Sequence, residues 1–358
     1  MWGTKRRQDD ALAKKSDDPA TDGLPDENPA ESPTQLPKKS WLKVLKGAGK
    51  EFSDDNLSDS AAALTYYGVQ ALFPALLVLI SLLGFMGPET IQSVKDNLKE
   101  VVPGSFNSTL TSILNTVGNK PSSASVAFIL GLVTALWSSS GYVAAFMRAS
   151  NVVYDIPEGR PIWKTLPTRL LTTLVMLILL ILAAIIVVFT GPVAQKAGDL
   201  LGLGDAAITA WSIAKWPVLV VIMMLELAIL YWAAPNAKQG FKWVSPGGML
   251  AVVLWLIASA GFAFYVSNFS SYDKTYGTFA GIVIFLIWMW ISNLVILLGA
   301  EFNAELERAR AEHDGLPEGS EPYVPLRDTR KLDEDELAEV EGSRRHLRPE
   351  RGGDSGSA

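Results

Sequence analysis

The sequence predicts an all-α integral membrane protein with six transmembrane helices, and three observations carry that prediction. Of its 358 residues 49% are hydrophobic. Charge is crowded into the two ends, before Trp41 and after Ala311. Between them lie six apolar runs of the length, roughly 20 residues, that a helix needs to cross a hydrocarbon core of about 30 Å. Lipid offers nothing for free backbone groups to bond, so each run must close its own hydrogen bonds as a helix.

Residues 1–37 are rich in Asp, Pro, Lys and Ser and poor in aromatics, the composition of a disordered tail. Over 38–60, Trp41, Leu42, Leu45, Ala48 and Phe52 recur at helical spacing, while Lys43, Lys46 and Lys50 hold another face. That predicts a basic amphipathic helix before span one, either lying at the interface on anionic lipids through 41–52 or packing on the protein's own loops. Its Gly47-Ala-Gly-Lys-Glu lacks the spacing and the following Ser or Thr of a phosphate loop.

The membrane domain covers 61–310, with spans at about 61–86, 125–147, 170–191, 217–234, 247–267 and 277–300. Pro74 removes a hydrogen bond in the first and favours a kink. The long loop from Pro88 to Ala124 carries two helical repeats, Ile91, Val94, Leu98, Val101 and Phe106, Leu110, Ile113, Val117, broken by Pro103-Gly104. These are amphipathic helices of a lid or of the outer interface.

Between spans five and six, "YVSNFSSYDKTYGTFAG" is a short outer hairpin. Tyr265, Tyr272 and Tyr276 suit the headgroup layer, and Asp273 lies where a carboxylate caps the next helix. Tyr272, Asp273 and Tyr276 form either a capped turn or the rim of an outer vestibule. Gly277 and Gly281 make a GxxxG pair that lets another helix approach, and a second copy of the chain is a candidate partner. From 311 to 358 the chain reads as a disordered, charged tail in which "LDEDELAEVE" can form an isolated helix.

Lys and Arg set the orientation. One set of flanks holds five lysines from Lys38 to Lys50, then Arg148, Arg160, Lys164, Arg169, Lys238, Lys242, Arg308 and Arg310; the other has only Lys95, Lys99, Lys120, Lys196, Lys215 and Lys274. Both termini are therefore expected in the cytoplasm.

The chain has no Cys, and its two His, His313 and His346, fall in the tail. Disulfides and thiolate metal sites are excluded, and a His metal centre lacks material. The membrane core shows no carboxylate cluster of the sort a metal-dependent nuclease needs. No cofactor, no metal and no nucleic-acid partner is expected; the bilayer is.

Polar residues inside the spans are the remaining candidates. Glu226, in "VVIMMLELAILYW", is the one carboxylate deep in a run, about 15 Å from the outer end at helical rise. It is either a proton-exchanging group on a transport path or a protonated Glu bonded to a neighbouring helix. Thr134 and Ser259 fall near the same depth, with Ser138, Ser139 and Ser140 deeper and about level with Asn293. At the inner mouth Arg148 with Glu301 forms a candidate gate, either functional or simply fastening helix ends, with Asp59 at the entrance of span one.

Three blocks, "AAALTYYGVQALFPALLVLISLLG", "LWSSSGYVAAFMRASNVVYDIPEGRPIW" and "YVSNFSSYDKTYGTFAGIVIFLIWMWISNLVILLGAEFNAEL", resemble in order the YihY/virulence factor BrkB family, over about Trp41 to Arg310. The resemblance implies a six-span bacterial inner-membrane protein without an established substrate, some of whose members have carried a ribonuclease BN label. It implies no role for Glu226. The expected function is transporter- or flippase-like, for an amphiphilic or small polar solute. A membrane scaffold recruiting envelope partners is the alternative, and a membrane-embedded enzyme comes third.

Overall fold

The computed structural model describes residues 38–85, 121–188, 204–268, 278–313 and 316–345, with a few isolated positions between them. The elements in these segments are helices: α1 (Lys38–Asp54), α2 (Leu57–Phe85), α3 (Pro121–Val153), α4 (Ile162–Val188), α5 (Asp205–Ala233), α6 (Pro246–Asn268), α7 (Thr278–His313) and α8 (Glu334–Arg345). The described residues form no strand beyond one isolated antiparallel bridge, Ala237 to Leu326.

Five of these helices are long and apolar enough to cross a membrane, over Phe128–Val153, Ile162–Val187, Ala206–Ala233, Pro246–Val266 and Gly281–His313. The first apolar run lies in α2, whose 29 residues extend about 43 Å at helical rise. From α2 to α7 each helix packs on the next, and α7 returns to α2 and also reaches α3. The closest approach joins α6 to α7 through glycine. A Cβ on Gly247 would meet the Gly299 carbonyl oxygen at 2.0 Å, and one on Gly299 would meet the Gly247 carbonyl at 2.6 Å. Gly281 of the expected GxxxG pair has open space around it, so among the described residues no helix approaches there. Gly277 lies outside the described residues.

The fourth span is longer than its apolar run. Pro217, read as its start, stands inside α5, where the backbone continues past it as it does past Pro74 in α2 and Pro167 in α4. Glu226 is thus seven residues from the end of α5 at Ala233, about 10 Å at helical rise.

α1 and the C-terminal segment occupy the same end of the bundle, called basal below. α1 is separate from α2, and the chain turns at Asn56, whose φ of 50° is one of the left-handed conformations Asn tolerates. Val44 and Ala48 are buried on Phe302 and Leu306 of α7, with Trp41 against the Phe302 ring. The seam packs this helix on α7, a helix and not the loops that the sequence set against a lipid interface, and Leu42 and Leu45 stay exposed.

Residues 316–345, expected to be solvated tail, are instead fastened across the basal end. Tyr323, Val324, Leu326, Leu332 and Val340 are buried in the main core. Asn236, fully buried, donates through Nδ2 to the carbonyls of Pro157 and Asp328, accepts from the Asp328 amide, and donates its own amide to Asn151 Oδ1. Arg160 donates to the carbonyls of Ala233 and Ala234 at the end of α5 and pairs with Glu158. The apolar residues scattered among the charges of this segment supply the burial that a charge count overlooks.

Candidate functional site

A buried polar layer forms where α2, α3 and α7 meet. Asn293 of α7 is 3% exposed in a helix that is otherwise apolar around it. Its Oδ1 accepts from the Tyr142 hydroxyl of α3 at 2.9 Å, and its Nδ2 donates to Thr65 Oγ1 of α2 at 3.0 Å. Thr65 passes its own hydrogen to the Ala61 carbonyl. Glu226 of α5 is half-buried. One turn toward the basal end, Tyr231 stacks on Phe146 and donates to the Ile296 carbonyl at 2.7 Å. The three sequence blocks "AAALTYYG", "SSSGYVAAF" and "ISNLVILLGAEFN" thus converge on one height.

The predicted path is only partly assembled. Asn293 lies in the interior, and Glu226 is half-buried on α5. Thr134, expected near Glu226, is exposed on the outer surface of α3 and bonds back to the Leu130 carbonyl. Ser138 is half-buried and satisfied by the Thr134 carbonyl of its own helix. Ser259 is half-buried with its Oγ buried and unpartnered. Depth arithmetic placed these side chains by height, while the 100° turn per residue decides which way each points.

Sequence reasoning missed Tyr142, Thr65 and Arg169. Arg169, read as a flank, stands two turns inside α4. Its Nη2 donates to Ser140 Oγ at 2.6 Å and its Nε is buried without a partner. The neighbouring Thr172 and Thr173, both buried, were the available signal of a polar face.

The residues expected to form an inner gate are not brought together. Arg148 and Asp59 are exposed and neither is ion-paired with Glu301, which is 1% exposed with Oε2 unpartnered. The cation at this place is Arg308, one further turn along α7 from Glu305. It meets Asp155 at 2.5 Å, Glu305 at 3.3 Å, Glu321 at 3.8 Å and Glu51 at 3.9 Å, with its guanidinium over the Tyr323 ring. Arg148 points outward because it ends a turn whose inward positions are taken by Phe146, Met147 and Ala149.

Carboxylates outnumber the cation, and two beyond the spans show it. Burial, then the charge of Glu321, raises Asp155 to about 7 although Arg308 opposes the shift. Burial, then Glu51, raises Asp55 to about 6. Asp328 behaves oppositely: burial alone would raise it, but hydrogen bonds from Arg330 and Lys164 hold it well below the usual carboxylate range. Among the described residues no three Asp, Glu or His converge as metal ligands. The outer-rim candidates Tyr272, Asp273 and Tyr276 and nearly all of the 88–124 loop lie outside the described residues.

Residues 48–322 match the family described as Virulence factor BrkB. The chain belongs to the BrkB family. Among curated proteins this BrkB-family chain is 31% identical over 276 residues to the ribonuclease-like protein YfkH of Bacillus subtilis, covering 77% of this chain and 99% of the relative. It is 28% identical to a UPF0761 membrane protein of Ralstonia nicotianae, over 76% of this chain and 60% of that one, so the match spans under two thirds of the Ralstonia protein. A UPF0761 membrane protein of Alteromonas mediterranea is 26% identical over 74% of this chain and 89% of its own length. No solved structure matches. The match reaches Pro322, at the threshold of the basal segment that sequence reading assigned to the tail.

Proposed function

We propose that this membrane protein of the BrkB family is a six-span, transporter- or flippase-like protein of the bacterial plasma membrane, with both termini cytoplasmic, that moves an amphiphilic or small polar solute. One observation carries the reading: Asn293, Tyr142 and Thr65, from three helices, meet in the interior of a bundle whose α5 carries the ionisable Glu226 within its span. Fastening helices together needs polar side chains but no carboxylate, and ionisable groups at membrane depth mark ion or solute paths by default. The carboxylates around Arg308 stand at the basal mouth of the same bundle and serve as its gate. α2, which holds the first apolar run, is the sixth span. No chemical reaction is assigned to the protein.

The folded basal surface made by α1 and residues 316–345 favours a second reading, a scaffold that recruits partners there. Reconstitution separates the two. Full-length protein in vesicles carrying a fluorescent phosphatidylglycerol analogue is expected to expose inner-leaflet label to external dithionite faster than protein-free vesicles, and Glu226→Gln to abolish the gain. Wild-type vesicles no faster than empty ones would remove the transport reading for this lipid class.

A further inference from the structure

An open cleft at the basal end plays no part in that path. It lies between the last turn of α5, the 234–245 connection, the start of α6 and α7, and its free volume of about 30 Å³ admits about two water-sized molecules. Arg310 and Lys242 form its walls and share Glu307, at 2.9 and 2.7 Å. Arg310 is 6% exposed, and its Nε has no hydrogen-bond partner. A guanidinium so buried with an unused N–H is a donor waiting for an acceptor. Its planar fork matches phosphate oxygens.

Two further features favour an anion here. α6, 23 residues long, begins at the cleft, and its first amides are ordered by Asn303 Oδ1 on Gly247 and Ser245 Oγ on Gly248. Those amides already have acceptors, so the helix brings to the opening the positive end of its dipole and not a free donor. Arg327 stacks on Trp232, another lining residue, and donates to the Trp232 carbonyl. Two cations of the lining, Arg310 and Lys242, stand against its single carboxylate Glu307. Beside them Trp243, Val244 and Met249 are 63%, 54% and 49% exposed, an apolar margin that a free anion has no use for.

We propose that this cleft binds the phosphate of an anionic lipid headgroup, with the acyl chains lying along Trp243, Val244 and Met249. Half-exposed Lys242 is the wall that yields to admit the phosphate, exchanging Glu307 for the ligand. The site stands independently of transport: it shares none of Asn293, Tyr142, Thr65 and Glu226, and of the residues around them only Tyr231 lines it.

Binding of phosphatidylglycerol, of phosphatidylcholine and of inorganic phosphate to the full-length protein in detergent, followed by native mass spectrometry and by competition, tests it. Phosphatidylglycerol should bind about tenfold tighter than phosphatidylcholine, whose choline cation would be carried against Arg310 and Lys242. Lys242→Gln should weaken it about threefold, and Arg310→Gln more. Glu307→Gln, which removes the internal competitor, should tighten it. Trp243→Ser should weaken the lipid while leaving competition by inorganic phosphate unchanged. Equal affinity for the two lipids, or Lys242→Gln and Glu307→Gln without effect, overturns the site. Inorganic phosphate binding as tightly as phosphatidylglycerol overturns its assignment to a lipid.

Discussion

Asn293 ties three helices with one amide. Its two ends are opposite in chemistry, so only an acceptor-to-hydroxyl and donor-to-hydroxyl arrangement satisfies both, and Tyr142 and Thr65 provide it. Interhelical hydrogen bonds in membranes contribute roughly 0.6–2 kcal/mol. Asn293→Leu should therefore destabilise the protein by about 1–2 kcal/mol and Tyr142→Phe by less, read from unfolding in detergent micelles; stability unchanged in both would mean that the layer is not a structural tie. The carboxylates around Arg308 make a second residue-scale prediction. Asp155 and Asp55 titrate at about 7 and about 6 in the fold, above their ordinary value of 3.8. Between the unfolded and folded values the folded state binds more protons, so stability falls as pH rises across that window. The unfolding temperature should be higher at pH 5 than at pH 8. Asp155→Asn, which also suits the φ of 50° at that position, should shrink the difference.

At the scale of elements, the α6–α7 crossing depends on two glycines whose backbones touch. Gly299→Val places branched carbons against the Gly247 carbonyl, and overpacking of this kind costs about 1–3 kcal/mol. Its unfolding temperature should drop clearly, whereas Gly281→Val, in open space, should leave it unchanged. The helices themselves were legible, because an apolar run of membrane length admits one backbone solution. Their ends were not. Pro217 reads as a start in any window-based count, yet a proline inside a long helix is held by its neighbours, and α5 begins a dozen residues earlier. Direction was hidden for the same kind of reason: Thr134 and Asn293 are both polar residues in apolar runs, and only the packing of α2, α3 and α7 turns one outward and the other in. Val44, which carries the α1 seam, was overlooked because Leu42 and Leu45 look more apolar and face away.

For the whole molecule, the basal end is where sequence reading and structure differ most. Composition called 311–358 a solvated tail, but Asn236 donates to the Asp328 carbonyl and Tyr323 donates to the Val153 carbonyl at the end of α3, backbone bonds that leave no mark in a composition. Asn236→Ala removes three buried side-chain hydrogen bonds and should cost about 3 kcal/mol, measurable as earlier proteolysis of the C-terminal segment. Since the chain has no Cys, single introduced cysteines report cleanly on sidedness and on the interior. The central claim is that Glu226 and Asn293 border a passage open to water, while Thr134 faces acyl chains. Labelling of Glu226→Cys, Asn293→Cys and Thr134→Cys with a membrane-impermeant thiol reagent in sealed vesicles tests it most directly. The account predicts reaction at the first two positions from at least one side of the membrane and none at the third. Protection of Glu226→Cys and Asn293→Cys from both sides would contradict it and leave the polar layer as packing alone.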